Sequence, residues 1–152
     1  MPNQAEWRFC QNCHCMFFHG FNEFGVCPKG GQHSPAGFTF NLPFDEPLTG
    51  QNQEHWRFCA KCFSMFFNEK LDNLTAVCAK DHGLHAKGGS VNFVLPFGPP
   101  GATDTATAQA NWRFCAKCFV MFFAGFDGGV CAKDGGSHFQ GGSVNFVLPH
   151  LP

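Results

Sequence analysis

Ten cysteines and eight histidines are distributed so that one ligand pattern occurs three times along the chain. Each occurrence reads Cys-x2-Cys, then 12 to 15 residues, a third cysteine, then 5 or 6 residues and a histidine. A thiolate pair on one tight turn can hold an ion from one side while a second turn adds a thiolate and an imidazole, which completes the tetrahedral set that zinc favours. The pattern therefore predicts three zinc ions per chain. The predicted ligands are Cys10, Cys13, Cys27 and His33; Cys59, Cys62, Cys78 and His85; and Cys115, Cys118, Cys131 and His138.

Disulfide bonds and buried free thiols are the other uses that a cysteine-rich sequence offers. Three repeated cysteines per occurrence is an odd number, so no occurrence could close its own bridges. Bridges between occurrences would make the three repeats unequal. Iron is the lesser metal option, since thiolates also hold iron. The spacing and the histidine in register favour zinc.

A catalytic zinc site keeps one position open for water, whereas four protein ligands close the site. Four ligands are available in each occurrence, and no Asp or Glu recurs in register around all three, so the pattern offers no shared general acid or base. We therefore expect structural zinc, no catalytic or cofactor-binding residues and no enzymatic activity.

Several cysteine and histidine residues fall outside the pattern. Cys15 occurs only in the first occurrence and could exchange as a ligand, although a small side chain buried or half-exposed in the hairpin is the favoured interpretation. His82 competes with His85, and the alignment of His85 with His138 favours His85. A surface position is the default expectation for the remaining histidines, which are His14, His19, His55 and His150.

The whole chain repeats around these ligands. Each copy opens on Trp-Arg-Phe-Cys, continues with Met-Phe-Phe and closes on Leu-Pro. A fixed period of this kind decides the architecture before any local assignment does. We expect a single domain, 1–152, built from repeats 5–44 (copy one), 54–97 (copy two) and 110–152 (copy three).

Within a copy the apolar period is two, which indicates strands. Trp7 and Phe9 share a face before the Cys-x2-Cys turn, as do Met16 and Phe18 after it, so each copy opens as a hairpin. Alternating apolar residues before Leu-Pro predict a closing strand. A further short strand is expected at Val26-Cys27, Val77-Cys78 and Val130-Cys131. The segment 68–74 is the one helix candidate.

An arrangement of four strands in each of three copies resembles the β-trefoil, the threefold architecture of ricin-B-type lectins. The resemblance covers nearly the whole chain in length and repeat number. It implies an all-β, pseudo-threefold domain whose closed barrel hides its strand edges. The Gln-x-Trp signature of ricin-type repeats is missing, so that family's sugar-binding residues are carried over to no position. The rival architecture, three separate zinc-ribbon-like knuckles, would leave the apolar surface of the Phe-rich strands exposed to water. For Trp7, Trp56 and Trp112 the alternatives are a carbohydrate platform and core, and core is favoured.

Charge narrows the choice of partner. The chain carries 10 Lys and Arg against 11 Asp and Glu, a formal net charge of −1, and three zinc sites of net −1 each take it to −4. Nucleic-acid binding is therefore disfavoured. Arg8, Arg57 and Arg113 recur in register and could cover apolar surface, pair with an acid or contact a ligand.

No signal segment or membrane-spanning stretch is expected, which favours a cytoplasmic protein or one released without a signal peptide. Three equal copies favour a multivalent binding protein for carbohydrate, as in lectins, or for another cell-surface ligand. The alternatives are a toxin-like or self-assembling structural protein and, less favoured, a nucleic-acid-binding zinc module.

Overall fold

The computed structural model describes residues 2–21, 23–68, 77–126 and 128–151. These residues form nine strands and no helix, so the all-β expectation is confirmed for them. The helix candidate 68–74 falls almost entirely outside them. The strands are β1 (Asn3–Cys10), β2 (Met16–Phe18), β3 (Pro35–Pro43), β4 (Asn52–Phe58), β5 (Met65–Phe67), β6 (Phe93–Gly98), β7 (Ala108–Phe114), β8 (Met121–Phe123) and β9 (Asn145–Pro149).

Each copy contributes three antiparallel strands in the same arrangement. A long first strand (β1, β4 or β7) pairs on one side with the short strand that follows the Cys-x2-Cys turn and on the other with the closing strand. The first strand bulges just before its tryptophan, where Glu6, His55 and Asn111 have positive φ angles of 73°, 77° and 72°. Such a bulge bends the strand and increases its twist.

The expectation of a fourth strand at Val26-Cys27, Val77-Cys78 and Val130-Cys131 is wrong, because these residues belong to no strand. Val26 N–H donates to the carbonyl of Cys62 at 3.3 Å, and Val130 N–H donates to that of Cys13 at 3.2 Å. In copies one and three a single backbone hydrogen bond to a turn of another copy therefore takes the place of a partner strand. The described strand count is therefore three per copy.

The three copies are joined through equivalent positions. Near the closing strands, Phe44 bridges to Phe93, Phe97 pairs with Phe146, and His150 bridges to Phe40. Copy one thus contacts copy two, copy two contacts copy three, and copy three returns to copy one. A second set of bridges repeats this order beside the cysteine turns, at Phe17 and Ser64, Phe66 and Val120, and Phe122 and Cys15.

Two apolar clusters fill the space between the copies, and each contains residues of all three. One holds the tryptophans, the methionines and the closing-strand Phe and Leu residues, and the other holds the cysteines with Phe17, Phe66 and Phe122. Trp7, Trp56 and Trp112 are fully buried, which confirms their assignment to the core. Removing this apolar surface from water, at about 25 cal/mol per Å², is the main stabilising contribution apart from the metal.

The recurring arginines bind backbone. Arg8 donates to the carbonyls of Gly37 and Phe38, both at 3.1 Å, while Arg57 and Arg113 donate to those of Ser90 and Ser143 at 3.0 and 3.4 Å. Arg8 therefore secures the first half of its closing strand, while Arg57 and Arg113 secure the segment just before theirs.

Candidate metal centres

The first two thiols of each site lie on the turn between the first two strands of a copy. In copy one, Cys10 N–H donates to the carbonyl of Cys15 at 3.0 Å, and His14 N–H donates to that of Cys10 at 2.7 Å. The residue after the second cysteine takes a left-handed conformation, with φ of 70° at His14, 71° at Phe63 and 71° at Phe119. This tight turn points both thiols to one side.

A second tight turn carries the third thiol. Gly30 N–H donates to the carbonyl of Cys27 at 2.9 Å, and Gly135 N–H donates to that of Cys131 at 2.8 Å. In copy two His82 takes the corresponding place, with a φ of 61°, and donates to the Cys78 carbonyl at 2.8 Å. The Gly-rich segment after this turn returns the chain so that the histidine faces the thiols.

The structure brings the twelve expected ligands together in three groups, in each of which all four ligand atoms lie within 4.8 Å of one another. The first and third sulfurs of a group are 3.9, 3.8 and 3.9 Å apart in copies one, two and three. The second sulfur lies 3.5, 3.7 and 3.5 Å from histidine Nδ1. A zinc tetrahedron with Zn–S of about 2.3 Å and Zn–N of about 2.0 Å has edges of about 3.8 Å between sulfurs and about 3.5 Å between sulfur and nitrogen.

These distances also exclude disulfides, in which the sulfurs are about 2.05 Å apart. All ten cysteines are free and buried. The three groups therefore fit three zinc ions per chain, with a protein atom at every corner of each tetrahedron.

Backbone groups stabilise negative charge on the first sulfur of each site. Ser34, Ala86 and Phe139, each directly after the ligand histidine, direct their N–H groups at Cys10, Cys59 and Cys115 at 3.4 Å. Such bonds favour the thiolate, which is the metal-binding form.

The thiols in one group perturb one another strongly. In copy two, hydrogen bonds from Cys62 and Cys78 hold the pKa of Cys59 far below its ordinary value. Hydrogen bonds with Cys59 and Cys78, together with burial, raise the pKa of Cys62 well above its ordinary value. Burial opposes charge on His85, but hydrogen bonds to Cys59 and Cys78 raise its pKa to about 9. Three buried thiolates repel one another, and a divalent cation removes that conflict.

Zinc retention should depend steeply on pH. Three thiols with an ordinary pKa of about 8.5 and one imidazole of about 6.5 must release their protons for one ion to bind. Where apo sites titrate as in the unfolded chain, apparent affinity should fall up to about 10³-fold per pH unit near pH 7.5 and about 10⁴-fold below pH 6. Competition with a fluorescent chelator across this range measures the slope. A slope of only one proton per ion would contradict three thiolate ligands.

The ligand histidines connect the three sites. His33 Nε2 lies 2.9 Å from the carbonyl of Cys62, His85 Nε2 lies 2.8 Å from that of Cys118, and His138 Nε2 lies 3.0 Å from that of Cys13. A carbonyl only accepts, so each Nε2 carries the proton and Nδ1 is left to bind the metal. Each histidine thus ligates its own site and donates to a ligand residue of the next copy.

Each histidine ring is also held from its face. Phe17, Phe66 and Phe122 stack on His33, His85 and His138 with ring centroids 4.7, 4.6 and 4.7 Å apart. Neither this stacking nor the histidine–carbonyl bond was anticipated, although the recurrence of Met-Phe-Phe in register is the signal that could have indicated the aromatic partner.

The cysteine and the histidines outside the repeated ligand pattern differ in their burial. Cys15 is buried, as expected, with its sulfur 3.3 Å from the Cys13 sulfur and 3.3 Å from Ser64 Oγ. His82 is exposed, and His14, His19 and His55 are half-buried. The surface expectation is wrong for His150, which is only 6% exposed and stacks on Phe38 at 3.7 Å. His150 takes the position of Phe44 and Phe97, so it packs into a contact between copies.

No protein-family model, curated protein or solved structure matches the chain. Among the residues described, no helix has the length and apolar character needed to cross a membrane.

Proposed function

We propose that this protein is a non-enzymatic, multivalent binding protein that recognises uncharged carbohydrate on surfaces, with zinc serving to hold the fold. The observation that carries the proposal is the joining of three copies through equivalent bridges, so that a surface formed where two copies meet occurs three times. Three equal sites on one chain raise the avidity for a repetitive ligand by orders of magnitude when geometry allows simultaneous engagement. The proposal includes a β-trefoil-like lectin architecture.

The metal geometry supports a structural use of zinc. Every ligand residue is at least 91% buried, and the four protein ligands leave no corner for water or substrate. Asp81 and Asp134 lie near the second turn of copies two and three, but their carboxylates are exposed and pair with Lys61 and Lys117 at 2.9 and 2.8 Å. Neither of these carboxylates is therefore directed at the metal as a general acid or base.

The charge balance supports an uncharged ligand. Zinc loading takes the formal net charge from −1 to −4, which disfavours polyanions such as nucleic acid. The exposed Phe21, Phe38 and Phe126 offer apolar faces of the kind that sugar rings contact.

The test is binding of the zinc-loaded protein to an array of neutral glycans printed at several densities. We expect binding that persists in 0.5 M salt and strengthens sharply with density, since avidity requires neighbouring ligands. The chelated protein is the control and should not bind. Retention on single-stranded DNA that salt abolishes, or concentration-dependent oligomers without glycan binding, would replace this proposal with one of the alternatives.

A further inference from the structure

Three cavities of about 360, 270 and 170 Å³ occupy equivalent positions where two copies meet. We call them junction pockets. Each is lined by the Phe of Trp-Arg-Phe and the start of the closing strand of one copy, together with a Gln and the last Phe of Met-Phe-Phe from another. The Phe and Gln residues are Phe9 with Gln109 in the pocket between copies one and three, Phe58 with Gln4 in that between one and two, and Phe114 with Gln53 in that between two and three.

A buried tryptophan fixes the orientation of the glutamine side chain in each pocket. Its Oε1 accepts a hydrogen bond from the indole N–H of the buried tryptophan three residues later, at 2.9 Å in all three copies. The amide nitrogen is the remaining polar group, and it has no hydrogen-bond partner within the described part of the chain. A fixed donor at the edge of an apolar cavity is typical of ligand sites.

Aromatic rings form the walls of the largest junction pocket. Phe9 packs edge-on against Phe123 and Phe126, with centroids 6.0 and 5.8 Å apart. Phe126 is 65% exposed and Phe38 is 42% exposed, so their faces are open to solvent. The lining of this pocket and that of the pocket between copies two and three contain no Asp, Glu, Lys or Arg, which disfavours a charged ligand because its charge would lose hydration without a partner. Lys87 lines the pocket between copies one and two and is the one such residue in the three linings.

We propose that each junction pocket binds one uncharged pyranose ring, with the C–H face of the sugar against the phenylalanine wall and a hydroxyl accepting from the glutamine amide. This inference rests on the proposed function and names the sites and ligand class. The volume of the largest junction pocket, about 360 Å³, lies at the lower end of the range for ligand sites, about 300–1,000 Å³, and suits a monosaccharide. The pocket between copies two and three, with the smallest volume, binds most weakly.

The test is a titration of the zinc-loaded protein with the methyl glycosides of galactose, glucose, N-acetylglucosamine and fucose. The side-chain amide signals of Gln4, Gln53 and Gln109 in ¹H–¹⁵N NMR spectra report each pocket separately. In Phe126→Ala we expect at least one glycoside to bind about tenfold more weakly at Gln109, with the Gln4 and Gln53 responses unchanged. Phe139→Ala is the matched control, since Phe139 is 56% exposed and lines none of the three junction pockets.

The outcomes separate this inference from the proposed function. Two results would contradict sugar binding in the junction pockets and leave the proposed function standing. One is glycan-array binding without a shift of any glutamine amide signal, and the other is glycan-array binding with an unaltered amide response in Phe126→Ala. No response to any glycan or glycoside overturns both. Amide shifts with the apolar probe N-acetyl-leucinamide but with no glycoside overturn the ligand class and indicate an apolar protein side chain as the occupant.

Discussion

Cys62→Ser is expected to release the zinc of copy two and to weaken the site of copy one. A serine hydroxyl is a poor replacement for a thiolate, and the binding energy of structural zinc is folding energy, on the order of 10 kcal/mol per site. Cys62 also belongs to the turn whose carbonyl accepts from His33 at 2.9 Å. Disorder of that turn removes the outer partner of His33, a loss that typically costs 10- to 100-fold in metal affinity.

Elemental analysis after dialysis against chelators of graded strength measures both effects, alongside thermal unfolding. We expect fewer than three ions per chain in the variant. The zinc ion of copy one should also be removed by a weaker chelator than is needed to remove it from the unaltered protein. Cys15→Ser is the matched control. Cys15 lies outside the ligand groups and corresponds to Ser64 in copy two, so this variant should keep three ions. Full zinc content and an unchanged melting temperature in Cys62→Ser would disprove the ligand assignment.

Phe66→Ala is expected to lower the free energy of unfolding by about 3–5 kcal/mol, because it opens a cavity at a fully buried position. It should also loosen copy two's metal site, since the Phe66 ring stacks on His85 at 4.6 Å. Urea unfolding measures the first effect, and the rate at which a chelator removes the first zinc ion measures the second.

Met65→Ala separates these two effects. Met65 is as buried as Phe66 and adjacent to it in β5, but it packs in the tryptophan cluster rather than among the cysteines. Its loss should cost about 2–5 kcal/mol without changing the zinc-release rate under native conditions. Equal release rates for the two variants would show that the aromatic ring does not support the histidine.

The metal ligands could be predicted because their spacing is local and occurs three times in the sequence. Cys-x2-Cys on a turn brings two sulfurs together whatever the rest of the chain does, and only His85 had to be chosen over His82 by register. The period of two likewise identified the hairpins and closing strands, since one face of each is buried.

Features that depend on docking between copies could not be predicted in this way. The bond from His138 to the Cys13 carbonyl and the burial of His150 follow from contacts across the junctions. The same is true of Val26, whose sequence is typical of a strand but whose one backbone acceptor belongs to copy two. The bulge at Glu6, His55 and Asn111 was also missed, because none of these residues has the conformational freedom of glycine that usually signals a positive φ.

The return of copy three to copy one has a consequence for synthesis on the ribosome. The bond between His138 and Cys13 joins residues 125 positions apart, so copy one can bind its own zinc long before this neighbour exists. Until then, the edge of β2 and the Phe9 side of the hairpin remain uncovered, and uncovered apolar edges favour aggregation of nascent chains. Early zinc binding would order that edge before copy three is synthesised. The yield of correctly folded protein should therefore depend on the zinc concentration during translation, even when zinc is added in excess afterwards.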